Sequence, residues 1–309
     1  MRLALEPVAQ QARRFYDGGL DADSGADPPR PADVPPDPGS DPRIVLLRHD
    51  EEGREQFAME RRLAYRDRHL GELLVPRVTG TFRTDLTSVP ALFTWLVPKT
   101  GQHLPATLLH DGLIHPPGDV TYVSTDGHVV LRAEADRVLR DAMADSGTAL
   151  IRRWLVWSAV ATATMLSGTG TGWSPRLTWR YRATAALTVL VVVVLGACAT
   201  LDLFDVHVSG VPQLPWMGER PWYAELAGGL AGAVVVPLVL ALLWGPFRIA
   251  GGVVGVSLAV LLHVTVALVG LTAAYRFLEW LTARAPTVAL ALVGVVTAAA
   301  VVVFVSLLV

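Results

Sequence analysis

Hydrophobic and polar positions divide the chain into two unlike halves. Up to about Arg182 the sequence is rich in Asp, Arg and Pro, and after it come long runs of Val, Leu, Ala and Gly with few charges. Four runs reach the roughly 20 mainly apolar residues that a membrane-spanning helix needs: about 183–201, 226–244, 249–275 and 286–309. The pattern predicts an integral membrane protein in which residues 183–309 form an all-α domain of four transmembrane helices.

The first half is itself divided. Residues 1–42 include "DGGLDADSGADPPRPADVPPDPGSDPR", which has almost no large apolar side chain, so we predict a disordered tail because it cannot offset its ordering entropy. Residues 43–168 combine short extended stretches such as "RIVLLRH" with the helical stretches "LPATLLHDGLI", "LRAEADRVLRDAMADSG" and "TALIRRWLVWSAVATATMLSG". They predict a small α+β domain, which a flexible linker over residues 169–182 joins to the membrane part.

Basic residues beside the first predicted span indicate the orientation. Lys and Arg near span ends favour the cytoplasmic side, and the residues before this span include Arg152, Arg153, Arg176, Arg180 and Arg182. We therefore expect a multi-pass protein of the cell membrane with a cytoplasmic N-terminal domain and the lipid bilayer as a partner. The net charge of −2 is uninformative about nucleic acid, but no basic stripe with interleaved aromatic residues is present, so no nucleic-acid partner is expected.

Small residues recur at helical spacing within the predicted spans. Gly228-x-x-x-Gly232 and Gly251-x-x-x-Gly255 match the pattern that lets helix backbones approach closely. The pattern favours a compact bundle, or a homo-oligomer formed through the transmembrane helices. The single cysteine, Cys198, lies in the first predicted span, so a disulfide within one chain is excluded.

The stretch "LPATLLHDGLIHPP" carries the chemistry that the sequence offers. Its apolar residues point all round a helix axis, which indicates a helix buried on most sides, so His110 and Asp111 need partners. Asp136 borders the apolar face of the next predicted helix and could orient His110 as a general base. Asp111 could supply oxygen to a hard cation such as calcium. The alternative is a structural network in which these three side chains only hold the core together.

Three separated motifs resemble one known family. "LLVPRVTGTFRTDLTSVP", "ATLLHDGLI" and "ADRVLRDAM" are similar, in the same order, to motifs of the bacterial and phage-associated domain of unknown function 1353. The resemblance covers roughly residues 50–160. Ile114 stands where that family usually has tyrosine, and the first turn is longer than usual. The positions that fall on the motifs are Thr84, Asp85, Ser88, Pro90, His110, Asp111 and Asp136.

Two classes of enzyme show weaker similarities. Phospholipase A2-type enzymes carry "HDxxY" on a helix, with calcium at the Asp and a later Asp supporting the His; here Ile114 replaces the tyrosine, and no glycine-rich calcium loop precedes the helix. Metal-dependent phosphohydrolases of the His-Asp kind need an additional upstream histidine on a helix, and His103 lies just outside the helix start. Asp85 and Ser88 in "TDLTS" most simply form a turn and a helix cap.

Two functions of different classes follow from these residues. The first is a membrane-tethered hydrolase acting on lipid, with His110 and Asp136 catalytic and Asp111 binding a cation. The second is a non-catalytic, membrane-anchored binding or effector protein with a phage-related or envelope role, in which the His/Asp network is structural. The discriminator is accessibility, because a catalytic His110 must reach a cleft, whereas a structural one should be sealed and fully hydrogen-bonded. A separation of His110 and Asp136 of more than about 6 Å, with no bridging water, would remove the proposed pair.

Overall fold

The computed structural model describes residues 13–21, 34–51, 54–86, 100–114 and 119–308. The chain divides into two compact units, Met1–Ala259 and Val260–Val309. The strands are β1 (Phe15–Asp17), β2 (Leu46–Glu51), β3 (Arg54–Met59), β4 (Leu63–Asp67), β5 (Gly71–Val75), β6 (Arg83–Thr84) and β7 (Val123–Ser124). The α-helices are α1 (Leu104–Leu113), α2 (Arg132–Asp145), α3 (Leu150–Ser167), α4 (Pro175–Leu203), α5 (Trp222–Ala241), α6 (Arg248–Val260), α7 (Leu262–Arg284) and α8 (Pro286–Leu308).

The strands form two antiparallel sheets in the N-terminal part of the first unit. One sheet has the order β1-β4-β5-β7 and the other β2-β3-β6. Helix α1 packs against β5 and α2, and α2 packs against α3. A sheet region followed by helices therefore agrees with the α+β part of the predicted fold class.

Part of the predicted tail belongs to the first sheet. Strand β1 pairs with β4, with Phe15 opposite Tyr65, and Tyr16 is fully buried. The Arg61 guanidinium donates two hydrogen bonds, each of 2.6 Å, to the Asp17 carboxylate. The composition of residues 1–42 did not indicate this strand because so few apolar side chains form it. Residues 1–12 and 22–33 of the predicted tail lie outside the described part of the chain.

Helix α1 is buried on most sides, as its sequence predicted. Seven of its ten residues are buried, and Leu108 and Leu109 are fully so. Its glycine allows a close approach to the sheet: a Cβ on Gly112 would lie 2.1 Å from Cγ1 of Val75. The missing side chain therefore sets the distance between α1 and β5.

The segment predicted as a flexible linker, residues 169–182, is packed instead. Helix α4 already begins within it, at Pro175, where the Ser174 side chain caps the helix. The Trp173 ring lies 4.6 Å from that of Tyr181 and 5.8 Å from that of Phe247. Glycine-rich composition suggested flexibility, but the glycines provide left-handed turns, as Gly168 does at the end of α3 with φ 67°.

Three stretches of helix are long and apolar enough to cross a membrane: Pro175–Leu203, Trp222–Val260 and Leu262–Arg284. In α8, the apolar stretch Pro286–Ala299 is shorter than these three. A count of four spans therefore stays a prediction. The predicted third span, 249–275, is divided between α6 and α7 by a break at Leu261. No glycine or proline lies at that break, so the sequence pattern predicted one continuous apolar span.

The stretch Trp222–Val260 folds back on itself. A 3₁₀ turn, Leu242–Phe247, separates α5 from α6, and Gly245 within it has φ 58° and ψ −121°. A Cβ on Gly252 would lie 3.2 Å from Leu238, and one on Gly255 would lie 2.7 Å from Pro237. These contacts join residues 14 and 18 positions apart, so the chain turns at Leu242–Phe247 and the first part of α6 lies against the end of α5.

Both Gly-x-x-x-Gly faces are covered within the chain. A Cβ on Gly228 would lie 2.0 Å from the carbonyl oxygen of Trp216, and one on Gly232 would lie 2.7 Å from the Trp216 indole nitrogen. Gly251 faces the Trp244 ring, and Gly255 faces α5. The small residues thus support close packing inside the first unit, as predicted, while the homo-oligomer stays a prediction.

Two carboxylates, one buried and one partly buried, hold α2 to the first sheet. Asp67 accepts hydrogen bonds from the Arg137 guanidinium at 2.9 and 3.1 Å, and Asp145 accepts from Arg68 and Tyr65. Burial by itself raises the pKa of Asp67, but the bonds from Arg137 and two backbone N–H groups outweigh burial and lower that pKa. The pKa of Asp145 is lowered in the same way, by Arg68 and Tyr65 against the effect of burial.

We predict from these pKa shifts that the domain is sensitive to acid. A carboxyl group with a lowered folded pKa stabilises the fold fully above its unfolded value, about 3.9 for Asp, and this contribution disappears as pH falls through the folded value. The thermal unfolding midpoint of the purified chain should therefore fall steeply below about pH 4. A midpoint that stays constant from about pH 5 down to about pH 2 would contradict the lowered pKa values of Asp67 and Asp145.

Gly112→Ala should destabilise the first unit by about 1–3 kcal/mol, because the added methyl group overpacks the contact between α1 and Val75. The matched control is Gly229→Ala in α5, where the new Cβ would meet Met217 at an ordinary 3.5 Å. Thermal unfolding of both variants in detergent measures the difference. Equal midpoints for the two variants would show that β5 yields to the methyl group at no cost.

Candidate functional site

The helices α1 and α2 bring His110 and Asp136 together. Nε2 of His110 lies 2.9 Å from Oδ1 of Asp136, and the two residues are 2% and 1% exposed. Each side chain stands on a helix face that packs against the other helix, so the pair is held by the core around it. The contact that the sequence suggested between these residues is therefore present.

The bond to Asp136 fixes the chemistry of the imidazole. A carboxylate only accepts hydrogen bonds, so Nε2 is the donor in a bond to ionised Asp136. Nδ1 is buried and has no hydrogen-bond partner among the residues that the structure describes. A neutral histidine in this state can take up a proton at Nδ1 while the carboxylate stabilises the resulting positive ring.

Asp111 lies beside the available nitrogen of the histidine. Its Oδ1 is 4.0 Å from Nδ1 of His110, and its side chain is 16% exposed, more than that of either member of the pair. The Thr84 hydroxyl donates a 2.6 Å hydrogen bond to Oδ2 of Asp111. This bond therefore joins strand β6 to helix α1 and fixes the Asp111 carboxylate.

The turn after β6 is strained. The Thr84 hydroxyl oxygen accepts a 3.0 Å hydrogen bond from the backbone N–H of Leu86, and Leu86 has a left-handed φ of 56° although it is buried. The left-handed conformation costs a residue with a Cβ about 1–2 kcal/mol, and such strain clusters at functional sites. Asp85 is exposed in this turn, while Ser88 and Pro90 lie outside the described residues.

The described residues do not form a metal centre. No three His, Cys, Asp or Glu side chains among them lie together as potential metal ligands. Calcium prefers six to eight oxygen ligands, and the described residues place no group of three or more such side chains around Asp111. The prediction of calcium at Asp111 thus gains no support from these residues.

One contact of the site had only a weak signal in the sequence. The bond from Thr84 to Asp111 joins residues 27 positions apart; only the "TD" in the first family motif pointed to this strand. Ile114, which stands in place of the family's tyrosine, packs against the core and has no hydroxyl to offer. Oδ2 of Asp136 has no hydrogen-bond partner among the described residues.

The pair also lies near the connection to α4, the first helix that is long and apolar enough to cross a membrane. At the beginning of α2, the backbone N–H of Arg132 donates to the Gly170 carbonyl at 2.9 Å, and its guanidinium donates to Thr164 and Thr169, each at 3.2 Å. Asp136 follows Arg132 by four residues, which is about one helical turn or roughly 6 Å along the axis. The site is thus close, along α2, to the connection between α3 and α4.

Residues 57–160 match the model of a family described as a protein of unknown function (DUF1353). The resemblance seen in the three motifs is confirmed. The DUF1353 match runs from β3 into α3 and includes Thr84, His110, Asp111 and Asp136, about a third of the chain. No curated protein and no solved structure matches the chain. The weaker similarity to phospholipase A2-type enzymes stays a prediction.

Thr84→Val should destabilise the domain by about 1–3 kcal/mol, because it leaves the buried N–H of Leu86 without its acceptor and removes the donor to Asp111. The matched control is Thr81→Val, whose hydroxyl bonds a carbonyl in an exposed turn; a surface change of this kind is usually within about 0.5 kcal/mol of neutral. Thermal unfolding of the purified chain measures both. Equal effects would show that the Thr84 bonds contribute little.

Proposed function

We propose that the DUF1353-like domain is a membrane-tethered hydrolase that acts on lipid, with His110 as general base and Asp136 as the group that orients it. One observation carries the proposal: the bond between Nε2 of His110 and Asp136 measures 2.9 Å, while Nδ1 has no partner among the described residues. The histidine is thus fixed through one nitrogen, and its other nitrogen is not engaged by the described residues, which is the hydrogen-bonding arrangement that suits a general base.

The reaction that fits this arrangement is hydrolysis of an ester. Nδ1 takes a proton from water as the water oxygen bonds to the carbonyl carbon, and Asp136 stabilises the imidazolium that forms. The C–O bond to the alcohol then breaks, and the proton on Nδ1 passes to the departing alkoxide oxygen. Asp111, held by Thr84, stands 4.0 Å from this nitrogen.

Lipid is the substrate class that the surroundings favour. The domain is joined to α4 by a packed connection, and α4 is long and apolar enough to cross a membrane. Asp136 lies one helical turn from the Arg132 contacts to that connection. A site held at this place meets lipid more readily than it meets a soluble substrate. The arginines in α3 and in the first turns of α4 favour the cytoplasmic leaflet.

The burial of His110 and Asp136 supports a second candidate function. His110 and Asp136 are 2% and 1% exposed, which suits a structural pair that holds α1 to α2. In that case the protein would be a membrane-anchored binding or effector protein, with a phage-related or envelope role, and the pair would contribute to stability alone.

Phospholipid hydrolysis by the purified full chain in liposomes tests the proposal. We expect fatty acid release that His110→Gln lowers by about 10²–10⁴-fold, since removing a general base costs that range. Asp136→Asn should lower the rate as well and alter its pH dependence, because an amide stabilises the imidazolium less. The matched control is His128→Gln, an exposed histidine, which should leave the rate unchanged.

The same assay distinguishes the structural candidate. Absence of hydrolysis by the unmodified chain, with a lower unfolding temperature for His110→Gln, would reject the hydrolase in favour of a structural pair. The assay is run with calcium and with a chelator. A rate that requires calcium and is lost in Asp111→Asn would support the cation role of Asp111.

A further inference from the structure

An apolar groove lies where the soluble domain meets the first membrane helices. It has a volume of about 430 Å³ and is formed by the end of α3, the first half of α4, Trp244 and α6; its walls include Leu166, Ala186, Val189, Val193, Gly255 and Leu258. We name it the α3–α4–α6 groove. Its size falls in the range of roughly 300–1,000 Å³ that is usual for ligand sites.

The walls of the groove offer almost no hydrogen-bonding group to a ligand. The Trp244 indole N–H, the main polar group at its base, donates a 3.0 Å bond to the Thr188 hydroxyl. That hydroxyl in turn donates to the Thr184 carbonyl at 2.9 Å. Apolar cavities of this kind exclude water and accept apolar ligands, so a hydrocarbon chain is the occupant that the walls favour.

One end of the groove is basic. On α4, Arg182 stands four, seven and eleven residues before Ala186, Val189 and Val193, so it lies on the same helix face as these wall residues. Its guanidinium donates to the carbonyls of Leu166 and Ser167, each at 2.7 Å. Arg182 is thereby fixed at the mouth, between α3 and α4.

Further arginines stand at the same end of the helices. The Tyr181 and Phe247 rings lie 5.6 Å apart, and Arg180 and Arg248 adjoin them along the chain; both arginines are exposed. The sequence has no Asp or Glu from residue 146 to residue 201, nor from residue 242 to residue 260. The positive charge at this end is therefore not balanced by acidic residues of the helices that form the groove.

We propose that the groove binds one acyl chain of an anionic phospholipid, whose headgroup phosphate lies against the arginines at its mouth. Wall residues on α4 belong to a helix that could cross a membrane, where acyl chains are the abundant apolar ligands, and each arginine near the surface favours an anionic headgroup. The lipid would bridge the α3 end of the soluble domain and α4. The groove would bind it whether or not the domain is a hydrolase.

Native mass spectrometry of the full chain, released from vesicles of equal phosphatidylglycerol and phosphatidylcholine, tests the proposal. The expected result is one retained phosphatidylglycerol per chain. Ala186→Phe, which fills the groove, should reduce retention to background, and Val193→Phe should do the same from further along the wall. The matched control is Ala183→Phe, an exposed alanine of α4 that is not part of the wall; it should retain the lipid.

The headgroup is tested separately. Arg248→Gln should lower phosphatidylglycerol retention by about fivefold, the factor expected for one arginine near a membrane surface. Arg284→Gln, an exposed arginine of α7, is the control and should have no effect. Equal retention of both lipids, or retention that survives both groove-filling variants in a chain that still unfolds cooperatively, would overturn the proposal.

Discussion

Helix α2 carries three ionisable side chains that pair with other elements of the domain. The pairing matters most for Asp136, which is 1% exposed, because an unpaired buried charge is costly. Asp136 meets His110 of α1, and Arg137 meets Asp67 at the end of β4. Asp145 at the end of α2 meets Arg68. The positions of α1 and of the first sheet relative to α2 follow from these three pairings, with the apolar contacts filling the space between them.

The same helix connects the domain to the membrane part. Its first residue, Arg132, bonds the turn after α3, and the hydrophobic core continues from the domain to Tyr181, Trp244 and Phe247. The domain is therefore packed against the first apolar helices and is not joined to them by a flexible hinge. Hydrogen bonds from Arg132 tie the start of α2 to the end of α3 and to the connection that leads into α4.

Much of this arrangement could be predicted from the sequence. The periodicity of α1 and α2 indicated helices with particular buried faces, and Asp136 stood at the edge of one of them, opposite His110. The bond from Thr84 to Asp111 could not be derived by spacing because it joins a two-residue strand to a helix across a stretch of irregular composition. Strand β1 was missed for a related reason: three residues beside a Pro-rich segment carry too little pattern. The packed connection at 169–182 was read as flexible since glycines at left-handed turns look, in composition, like glycines in a linker.

The loop before α5 has a consequence for how copies of this chain can meet. Trp216 occupies the small-residue face of α5, with its carbonyl oxygen and its ring against Gly228 and Gly232. A second chain could contact these glycines only after the Trp216 indole had moved away. The Gly-x-x-x-Gly face of α5 is therefore covered by a residue of its own chain. Association through this helix would be governed by a loop outside the predicted spans, and its strength would change with whatever loosens or tightens that loop.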